Sequence, residues 1–318
     1  MRAAVIEGPG KVHFGEVKRP TPRPGEVRVR LQGCGVCASN LATWSGMPST
    51  QYPTEPGALG HEGWGIVDAL GEGVKGFEIG DRVAAVSYHA YAEFDVAPEA
   101  AVVKLPTELD NCVFPGEALG CAMNIFNRSG ISAGQTVAII GIGFLGAVLT
   151  KLASNAGVRV IAISRRAWSL QTAKIMGAAE TIPMSDHGKI IEQVQALTGG
   201  RFCDCVIEAV GKQWPLDLAA ELARERGRLV IAGYHQDGPR QVNMQLWNWK
   251  GLDVINAHER ELTVYAAGMR SAVDAVRNGV LDPCPLFTHR FRLEELGTAL
   301  DATLERPAGF MKALIVYE

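Results

Sequence analysis

The chain reads Thr136-Val137-Ala138-Ile139-Ile140-Gly141-Ile142-Gly143-Phe144-Leu145-Gly146 over the stretch that decides its fold. The first five residues are a continuous apolar run, which predicts a strand buried on both faces. Glycines follow at positions 141, 143 and 146, and Phe144–Asn155 is predicted to be a helix. A glycine-rich turn between a buried strand and a helix is typical of a dinucleotide-binding βαβ unit.

The three glycines have separate roles in such a turn. Gly141 permits the tight turn, Gly143 lets the backbone approach a pyrophosphate, and Gly146 lets the helix pack closely against the strand. The helix that begins at Phe144 and Leu145 offers unpaired N–H groups to the phosphates. We therefore predict that these five residues bind a dinucleotide. The alternative is a glycine-rich turn in an unrelated α/β domain.

The residues after the next predicted strand bear on the choice of cofactor. Val158–Ile163 is predicted to be a second buried strand, and Ser164, Arg165 and Arg166 follow it. A carboxylate at this point binds the ribose 2′-hydroxyl of NAD, but the chain has none here. A hydroxyl and two guanidinium groups suit a 2′-phosphate. We therefore expect these residues to bind NADP(H) in preference to NAD(H), unless both arginines are solvated surface charges.

Strands and helices alternate beyond this point. Further strands are predicted at Cys205–Glu208 and Arg228–Ala232, with a helix at Trp168–Met176 before them. This alternation indicates a parallel sheet covered by helices on both faces. The sequence therefore predicts a doubly wound α/β domain over residues 124–267.

The chain before this domain is rich in short strands. Glu26–Leu31 alternates with period two, as a half-buried strand does, and glycine and proline separate it from similar segments. After the α/β domain, an amphipathic helix is predicted at Leu293–Leu300 and a final strand at Lys312–Tyr317. We predict that residues 1–123 and 268–318 form one discontinuous β-rich domain.

Composition excludes several classes of function. The formal net charge of -3 gives no electrostatic attraction to nucleic acid. The sequence has no apolar run of about 18 residues, so no membrane span is predicted, and its first residues do not have the pattern of a secretory signal. Seven cysteines, an odd number, argue against a disulfide framework. We expect a cytoplasmic location.

Candidate metal ligands lie in the β-rich part of the sequence. They are Cys37, His61 and Glu62, and thiolate and imidazole are preferred ligands of zinc. A further ligand must come from elsewhere, with Glu117 as the best candidate and Cys121 as the alternative. Each residue also has a structural interpretation, since a lone histidine is more often a hydrogen-bonded core residue. A carboxylate at position 117 also favours the N-terminus of a helix.

These residues lie in segments that resemble the zinc-dependent alcohol dehydrogenases of the medium-chain dehydrogenase/reductase superfamily. Gly60–Val74 carries a zinc signature of that family, because its glycines at 60, 65 and 71 and the His-Glu pair fall at the family's spacing. The resemblance covers essentially the whole chain. Further matches are Gly33-Cys34-Gly35-Val36-Cys37-Ala38-Ser39-Asn40, Gly80-Asp81-Arg82-Val83, Glu208-Ala209-Val210-Gly211 and Met311–Val316.

The resemblance implies a GroES-like catalytic domain, a Rossmann domain and hydride transfer between a nicotinamide cofactor and an alcohol or ketone. It implies that Cys37, His61 and Glu117 hold one catalytic zinc ion. It implies that Glu62 is a nearby carboxylate that can approach the zinc ion as a substitute ligand. Polyol-type members of the family have Glu at the position of Glu117, so a secondary or polyol-type alcohol is the expected substrate.

The resemblance also assigns residues around the reacting groups. Cys37 and His61 are implied to be catalytic through the metal, and Ser39 is implied to pass the alcohol proton toward solvent. Cys121 is placed beside the nicotinamide, and Val210 and Lys312 are placed at the cofactor, with Lys312 near its phosphates.

Three departures from the family pattern matter. The four-cysteine lobe that often holds a structural zinc is missing, because Arg82–Ser87 runs almost directly into Tyr91–Phe94. We therefore expect at most one zinc ion per chain. The usual Asp after the relay hydroxyl, which supports the zinc-bound histidine, is replaced by Asn40, which can hydrogen-bond but brings no charge. Ala42 replaces a relay histidine that some members have.

Two other functions remain open at this point. One is a zinc-free quinone or enone reductase, although such proteins usually lack the pair of Cys37 and His61. The other is a redox-sensing protein that binds NADP(H) without alcohol turnover.

The family usually pairs nucleotide domains through edge strands, so Leu252–Asn256 is a candidate interface of a homodimer, with a tetramer as the alternative.

Overall fold

The computed structural model describes residues 1–317, which form strands β1–β15 and helices α1–α9. The strands are β1 (Arg2–Gly8), β2 (Lys11–Glu16), β3 (Glu26–Gly35), β4 (Glu62–Leu70), β5 (Arg82–Ala85), β6 (Phe94–Pro98), β7 (Val102–Lys104), β8 (Thr136–Ile140), β9 (Arg159–Ser164), β10 (Glu180–Pro183), β11 (Cys203–Glu208), β12 (Ala223–Ile231), β13 (Asp253–Asn256), β14 (His289–Phe291) and β15 (Ala313–Val316). The helices are α1 (Leu41–Trp44), α2 (Gly116–Ser129), α3 (Phe144–Asn155), α4 (Ala167–Ile175), α5 (His187–Leu197), α6 (Gln213–Leu222), α7 (Met244–Lys250), α8 (Leu262–Arg277) and α9 (Leu296–Glu305).

The chain divides into two units. Unit 1 comprises Met1–Cys121 and Arg260–Glu318, and unit 2 comprises Ala122–Glu259. The division lies two residues before the predicted boundary at 123/124 and eight residues before the one at 267/268. Glu318, the last residue of the predicted discontinuous domain, lies outside the described residues.

Unit 2 is built around a parallel sheet of six strands in the order β10-β9-β8-β11-β12-β13. In chain order this is 3-2-1-4-5-6, the strand order of a doubly wound dinucleotide-binding fold. The central strand β8 and helix α3 have the bounds that the apolar run and the glycine turn predict. The predicted fold class is therefore confirmed for this part of the chain.

Unit 1 contains a sheet in which β14, β15, β3, β4, β5 and β7 follow one another, with β6 also paired to β3. Within β3 the predicted alternation holds, because Val27, Val29 and Leu31 are buried while the arginines between them are not. Strand β15 pairs antiparallel with β3, so both ends of the chain contribute to one sheet. The carboxyl end of β3 leads directly to Cys37.

Helices α2 and α8 approach each other closely within unit 1. A Cβ at Gly120 would lie 2.7 Å from the backbone nitrogen of Met269, and one at Gly116 would lie 3.2 Å from its sulfur. The absence of side chains at these two positions, one turn apart, allows α8 to pack against the start of α2. This packing fixes the first turn of α2, which carries Glu117.

Among residues 1–317, no helix has the length and apolarity needed to cross a membrane.

Candidate active site and cofactor loop

Three of the predicted metal ligands converge in unit 1. Cys37 follows the end of β3, and Glu62 begins β4 directly after His61. Because β3 and β4 are antiparallel neighbours with Gly35 opposite Glu62, the two strand ends bring these side chains together. One ligand atom from each of Cys37, His61 and Glu62 lies within 4.8 Å of the other two. Thiol, imidazole and carboxyl are the ligand types that zinc prefers.

Glu62 is held in this cluster by Lys312. Its carboxylate is 1 % exposed, and the Nζ of Lys312 donates to Oε1 at 2.6 Å. Oε2 also lies 2.6 Å from this Nζ but accepts no hydrogen bond from any described residue. A Cβ at Gly35 would lie 1.8 Å from Oε2, so the missing side chain makes room for the carboxylate. The cofactor contact implied for Lys312 stays a prediction.

The charged groups of the cluster affect one another's pKa values. Burial lowers the pKa of His61, but the hydrogen bond and charge of Cys37, with Glu117 and Glu62, raise it to about 10. Burial raises the pKa of Glu117 to about 7 against the opposing charge of His61. In the metal-free protein, therefore, the neighbouring side chains favour a positive charge on His61 despite its burial. A divalent cation bound by the same residues would supply that positive charge instead.

Glu117 lies in the first turn of α2 and is close to the cluster without belonging to it. Its carboxyl group is buried, and its charge reaches His61, but it is not one of the three residues whose ligand atoms lie within 4.8 Å. Cys121 follows one turn later in α2, and burial raises the pKa of its thiol. Whether Glu62 or Glu117 completes the metal site stays a prediction, as does the role of Cys121 at the nicotinamide.

Ser39 lies two residues after Cys37, in a 3-10 turn formed by Ala38–Asn40. Its side chain is half-buried, which suits a hydroxyl that passes a proton between a buried group and water. Its relay role stays a prediction.

The residues of the cluster fit a zinc ion. The cluster combines a thiol, an imidazole and a carboxylate that has one oxygen without a hydrogen bond. This oxygen is paired electrostatically with Lys312, and its lone pairs remain available to a metal ion. Cys37, His61 and Glu62, with Glu117 beside them, are the residues that would hold this ion.

The glycine turn in unit 2 has the geometry that the sequence predicts. Gly141 has φ +96°, a conformation that only glycine adopts readily. A Cβ at Gly146 would lie 2.0 Å from the carbonyl oxygen of Gly141, so the third glycine allows α3 to pack against the turn. A Cβ at Gly143 would meet no atom within 4 Å. Open space at the helix N-terminus, where Phe144 and Leu145 begin α3, is where a pyrophosphate can bind.

Two family profiles match the chain. The alcohol dehydrogenase GroES-like domain matches residues 23–107, and the zinc-binding dehydrogenase domain matches residues 145–277. Together they cover more than half of the chain; the first match lies in unit 1 and the second lies mostly in unit 2.

The chain belongs to the zinc-type alcohol dehydrogenase family.

Relatives of known activity cover almost the full length of this family member. The sorbitol dehydrogenase of Halalkalibacterium halodurans is 26% identical over 95% of this chain and 96% of its own length. Among solved structures, an alcohol dehydrogenase from Thermus sp. ATN1 is 25% identical, with a TM-score of 0.84 over 100% of both chains. A mycobacterial protein solved in complex with NADPH shares the fold at 23% identity, with a TM-score of 0.85 over 100% of both chains. This family member is thus a nicotinamide-linked oxidoreductase that acts on alcohols.

The residues expected to choose between cofactors lie at the end of β9 in this dehydrogenase. Ser164 is the last residue of the strand and is buried, whereas Arg165 is exposed and Arg166 is half-buried at the N-cap of α4. Ser164 ends β9 and the two arginines follow it. Strand β9 is the neighbour of β8, which leads into the glycine turn. The contact of these three side chains with a 2′-phosphate stays a prediction.

A network around the buried carboxylate of Glu208 in unit 2 could not be recognised from the sequence. Glu208, at the end of β11, accepts hydrogen bonds from the backbone N–H groups of Val210 at 2.7 Å and Gly211 at 2.8 Å. Its other oxygen lies 3.0 Å from Nε2 of His235, and Arg240 donates to Nδ1 of the same ring at 2.9 Å. Because Nδ1 accepts, Nε2 must carry the proton that is donated to Glu208. The network shapes the loop in which Val210 lies beside Gly141.

Tyr265 was also missed, because nothing in its sequence neighbourhood marks it. It lies one turn before Met269 in α8, and therefore on the helix face that packs against α2. Burial raises the pKa of its hydroxyl group, and the charges of Glu117 and Cys121 raise it further. Tyr265 thus adds a neutral hydroxyl group to the surroundings of Glu117. A signal would have been available only from the contact between the two helices.

Proposed function

We propose that this dehydrogenase oxidises a secondary, polyol-type alcohol, and reduces the corresponding ketone, with NADP(H) as cofactor and one zinc ion per chain. The observation that carries the proposal is the convergence of Cys37, His61 and Glu62 within 4.8 Å in a chain that also has the glycine turn. The polyol preference is supported by the acidic residue at position 117 and by relatives that include sorbitol dehydrogenases.

Each of these residues has a separate role in the proposed reaction. Cys37 and His61 hold the metal together with Glu62 or Glu117, and a bound zinc ion supplies Lewis acidity toward the substrate oxygen. Ser39 accepts the proton of the alcohol and passes it toward solvent. Tyr265 offers a hydroxyl group to a polar substrate near Glu117. The turn at Gly141–Gly146 would hold the pyrophosphate of the nicotinamide cofactor, and that cofactor would supply hydride-transfer chemistry when bound.

The single zinc ion is supported by the distribution of ligand side chains. Among residues 1–317, Cys37, His61 and Glu62 are the one group of metal-ligating side chains that lie this close together. Strands β5 and β6 are joined by only a short segment, which leaves no room for a four-cysteine lobe.

A cytoplasmic location is supported by the seven cysteines, all of which are free thiols.

A metal analysis combined with a substrate panel tests the proposal. The purified protein is expected to contain one equivalent of zinc and to oxidise polyols such as sorbitol or butane-2,3-diol, with formation of reduced nicotinamide followed at its absorbance band. The panel is run with both NADP⁺ and NAD⁺. A fully zinc-loaded protein that binds NADPH but turns over no alcohol would instead identify a redox-sensing protein. Turnover of quinones without zinc would identify a reductase.

Replacing both arginines after β9 is expected to change the cofactor preference. In Arg165→Ala/Arg166→Ala, loss of two charge-assisted hydrogen bonds to the 2′-phosphate costs about 3 kcal/mol or more, so kcat/KM for NADP⁺ falls about 100-fold. The value for NAD⁺ should stay within about threefold. Arg201→Ala, which removes an exposed arginine elsewhere in unit 2, is the matched control. An equal loss with both cofactors would contradict the assignment of these residues to the 2′-phosphate.

The edge of the parallel sheet supports a homodimer. Strand β13 is the terminal strand of the sheet, and its Val254 is exposed, as is Trp249 in the preceding helix. An unpaired edge with exposed apolar side chains favours pairing with a second copy. Light scattering is expected to give twice the chain mass of 34.1 kDa, and Val254→Lys is expected to give the monomer mass. Val280→Lys, a charge at an exposed valine of unit 1, should stay dimeric; a monomeric native protein would refute the proposal.

A further inference from the structure

Leu59 has an unusual backbone conformation two residues before the metal-ligand candidate His61. Its φ is +76°, in the left-handed region that residues other than glycine rarely adopt. A residue keeps such a conformation only where the surrounding structure holds it. The neighbouring turn is held tightly, because Ala90 donates to the carbonyl of Gly60 at 3.0 Å and a Cβ at Gly60 would lie 2.5 Å from the nitrogen of Tyr91.

The carbonyl oxygen of Leu59 accepts two side-chain hydrogen bonds. The Nδ1 of His61 lies 2.8 Å from it, and the amide Nδ2 of Asn40 donates to it at 3.0 Å. Since a carbonyl can only accept, Nδ1 of His61 carries a proton. The lone pair available for a metal is therefore on Nε2, the ring nitrogen that faces away from Leu59. The backbone of Leu59 thus fixes both the orientation and the tautomer of the imidazole.

Asn40 is fixed in turn by Tyr91. The Tyr91 hydroxyl donates to the Oδ1 of Asn40 at 2.7 Å, and both side chains are buried, with Asn40 3 % exposed. The amide therefore has its oxygen toward a donor and its nitrogen toward an acceptor. This settles the orientation of the amide, because the reverse orientation would place its oxygen against the Leu59 carbonyl oxygen with no proton between them.

We propose that Tyr91, Asn40 and the Leu59 carbonyl form a neutral hydrogen-bonded chain that positions His61 for the metal. None of the three binds the metal, so all are positioning residues. The proposal rests on the proposed function, because it requires His61 to be a zinc ligand. It gives a physical reason for an amide at position 40, since the side chain must donate to one neighbour and accept from another.

This arrangement distinguishes an amide from a carboxylate at position 40. In Asn40→Asp the oxygen facing Tyr91 keeps its hydrogen bond. The other oxygen comes to lie about where the amide nitrogen was, 3.0 Å from the Leu59 carbonyl oxygen, with no proton between them. The repulsion displaces the carbonyl that holds His61. We therefore expect Asn40→Asp to weaken zinc binding, even though it adds a negative charge near a cation.

Zinc affinity, measured by competition with a chromophoric chelator at neutral pH, tests the proposal on the full-length protein. Asn40→Asp and the isosteric Tyr91→Phe are each expected to weaken zinc binding by about 10-fold or more, the usual loss for a residue behind a metal ligand. Asn278→Asp makes the same change at an exposed asparagine of unit 1, so its affinity should stay within about threefold of the native value. In the Co²⁺-substituted protein, the visible absorption band should shift in Asn40→Asp and Tyr91→Phe and not in Asn278→Asp.

The outcomes separate this proposal from the proposed function. If the native protein binds zinc no better than Cys37→Ser, the proposed function is wrong. If the native protein binds zinc tightly and Asn40→Asp binds it equally or more tightly, the positioning chain is wrong, because the side chain at position 40 then acts on His61 directly. Unchanged affinity and spectrum in Tyr91→Phe would also overturn it. Thermal unfolding of the metal-free variants verifies that each is folded.

Discussion

Cys37→Ser is expected to release the zinc ion and to lower alcohol turnover by about 1,000-fold or more. The thiolate is one of three side chains whose ligand atoms lie within 4.8 Å of one another, and a serine hydroxyl is a much poorer zinc ligand. Lewis acidity at a substrate oxygen contributes several kcal/mol, and each 1.36 kcal/mol corresponds to a tenfold change in rate. Zinc content by elemental analysis and kcat with a polyol substrate measure the two effects.

The substitution should leave the nucleotide-binding unit intact, because the glycine turn lies in unit 2. NADPH affinity, followed by its fluorescence, is therefore expected to stay within about threefold of the native value. Cys284→Ser makes the same atomic change at an exposed thiol in unit 1 and should retain both zinc and activity. If Cys37→Ser kept a full equivalent of zinc and native turnover, the metal site would have to be sought elsewhere in the chain.

Much of the fold could be predicted because it depends on short-range patterns. The apolar run before Gly141 and the helix after it appear in the structure with the predicted bounds, since a buried parallel strand must be apolar on both faces. The alternation along Glu26–Leu31 likewise predicts which side chains β3 buries. The strand order could not be obtained from such patterns, because it depends on pairings between segments that are far apart in the chain.

Cys37, His61 and Glu62 could also be predicted, because each lies in a motif at the end of a strand. What could not be predicted is the set of contacts made by distant segments. The ion pair between Glu62 and Lys312 joins residues 250 positions apart. The carbonyl of Leu59 has no side-chain identity that a sequence motif could reveal, yet it holds His61. The network around Glu208 depends in the same way on a loop that begins after the next strand.

Gly146→Ala is expected to lower the free energy of unfolding by about 2 kcal/mol. An alanine inside a helix is favoured over glycine by about 1 kcal/mol. The new Cβ, however, would lie 2.0 Å from the carbonyl oxygen of Gly141, a backbone atom that no side-chain rotation can move. Overpacking of a rigid contact costs about 3 kcal/mol, so the clash outweighs the helix propensity. Chemical denaturation of the metal-loaded protein, followed by fluorescence, measures the loss.

Gly143→Ala, three residues earlier in the same turn, should have the opposite pattern. Its φ of -91° is accessible to alanine, and its Cβ would meet no atom within 4 Å. Because alanine is a poorer N-cap than glycine but restricts the unfolded chain more, the free energy of unfolding should change by less than about 1 kcal/mol. The methyl group would instead occupy the space that the pyrophosphate needs at the start of α3, so the Kd for NADPH should rise about tenfold or more. The two substitutions add the same methyl group, so a loss of stability in one and of cofactor affinity in the other separates packing from binding. If Gly143→Ala bound NADPH with native affinity, the open space at that glycine would not be the phosphate site.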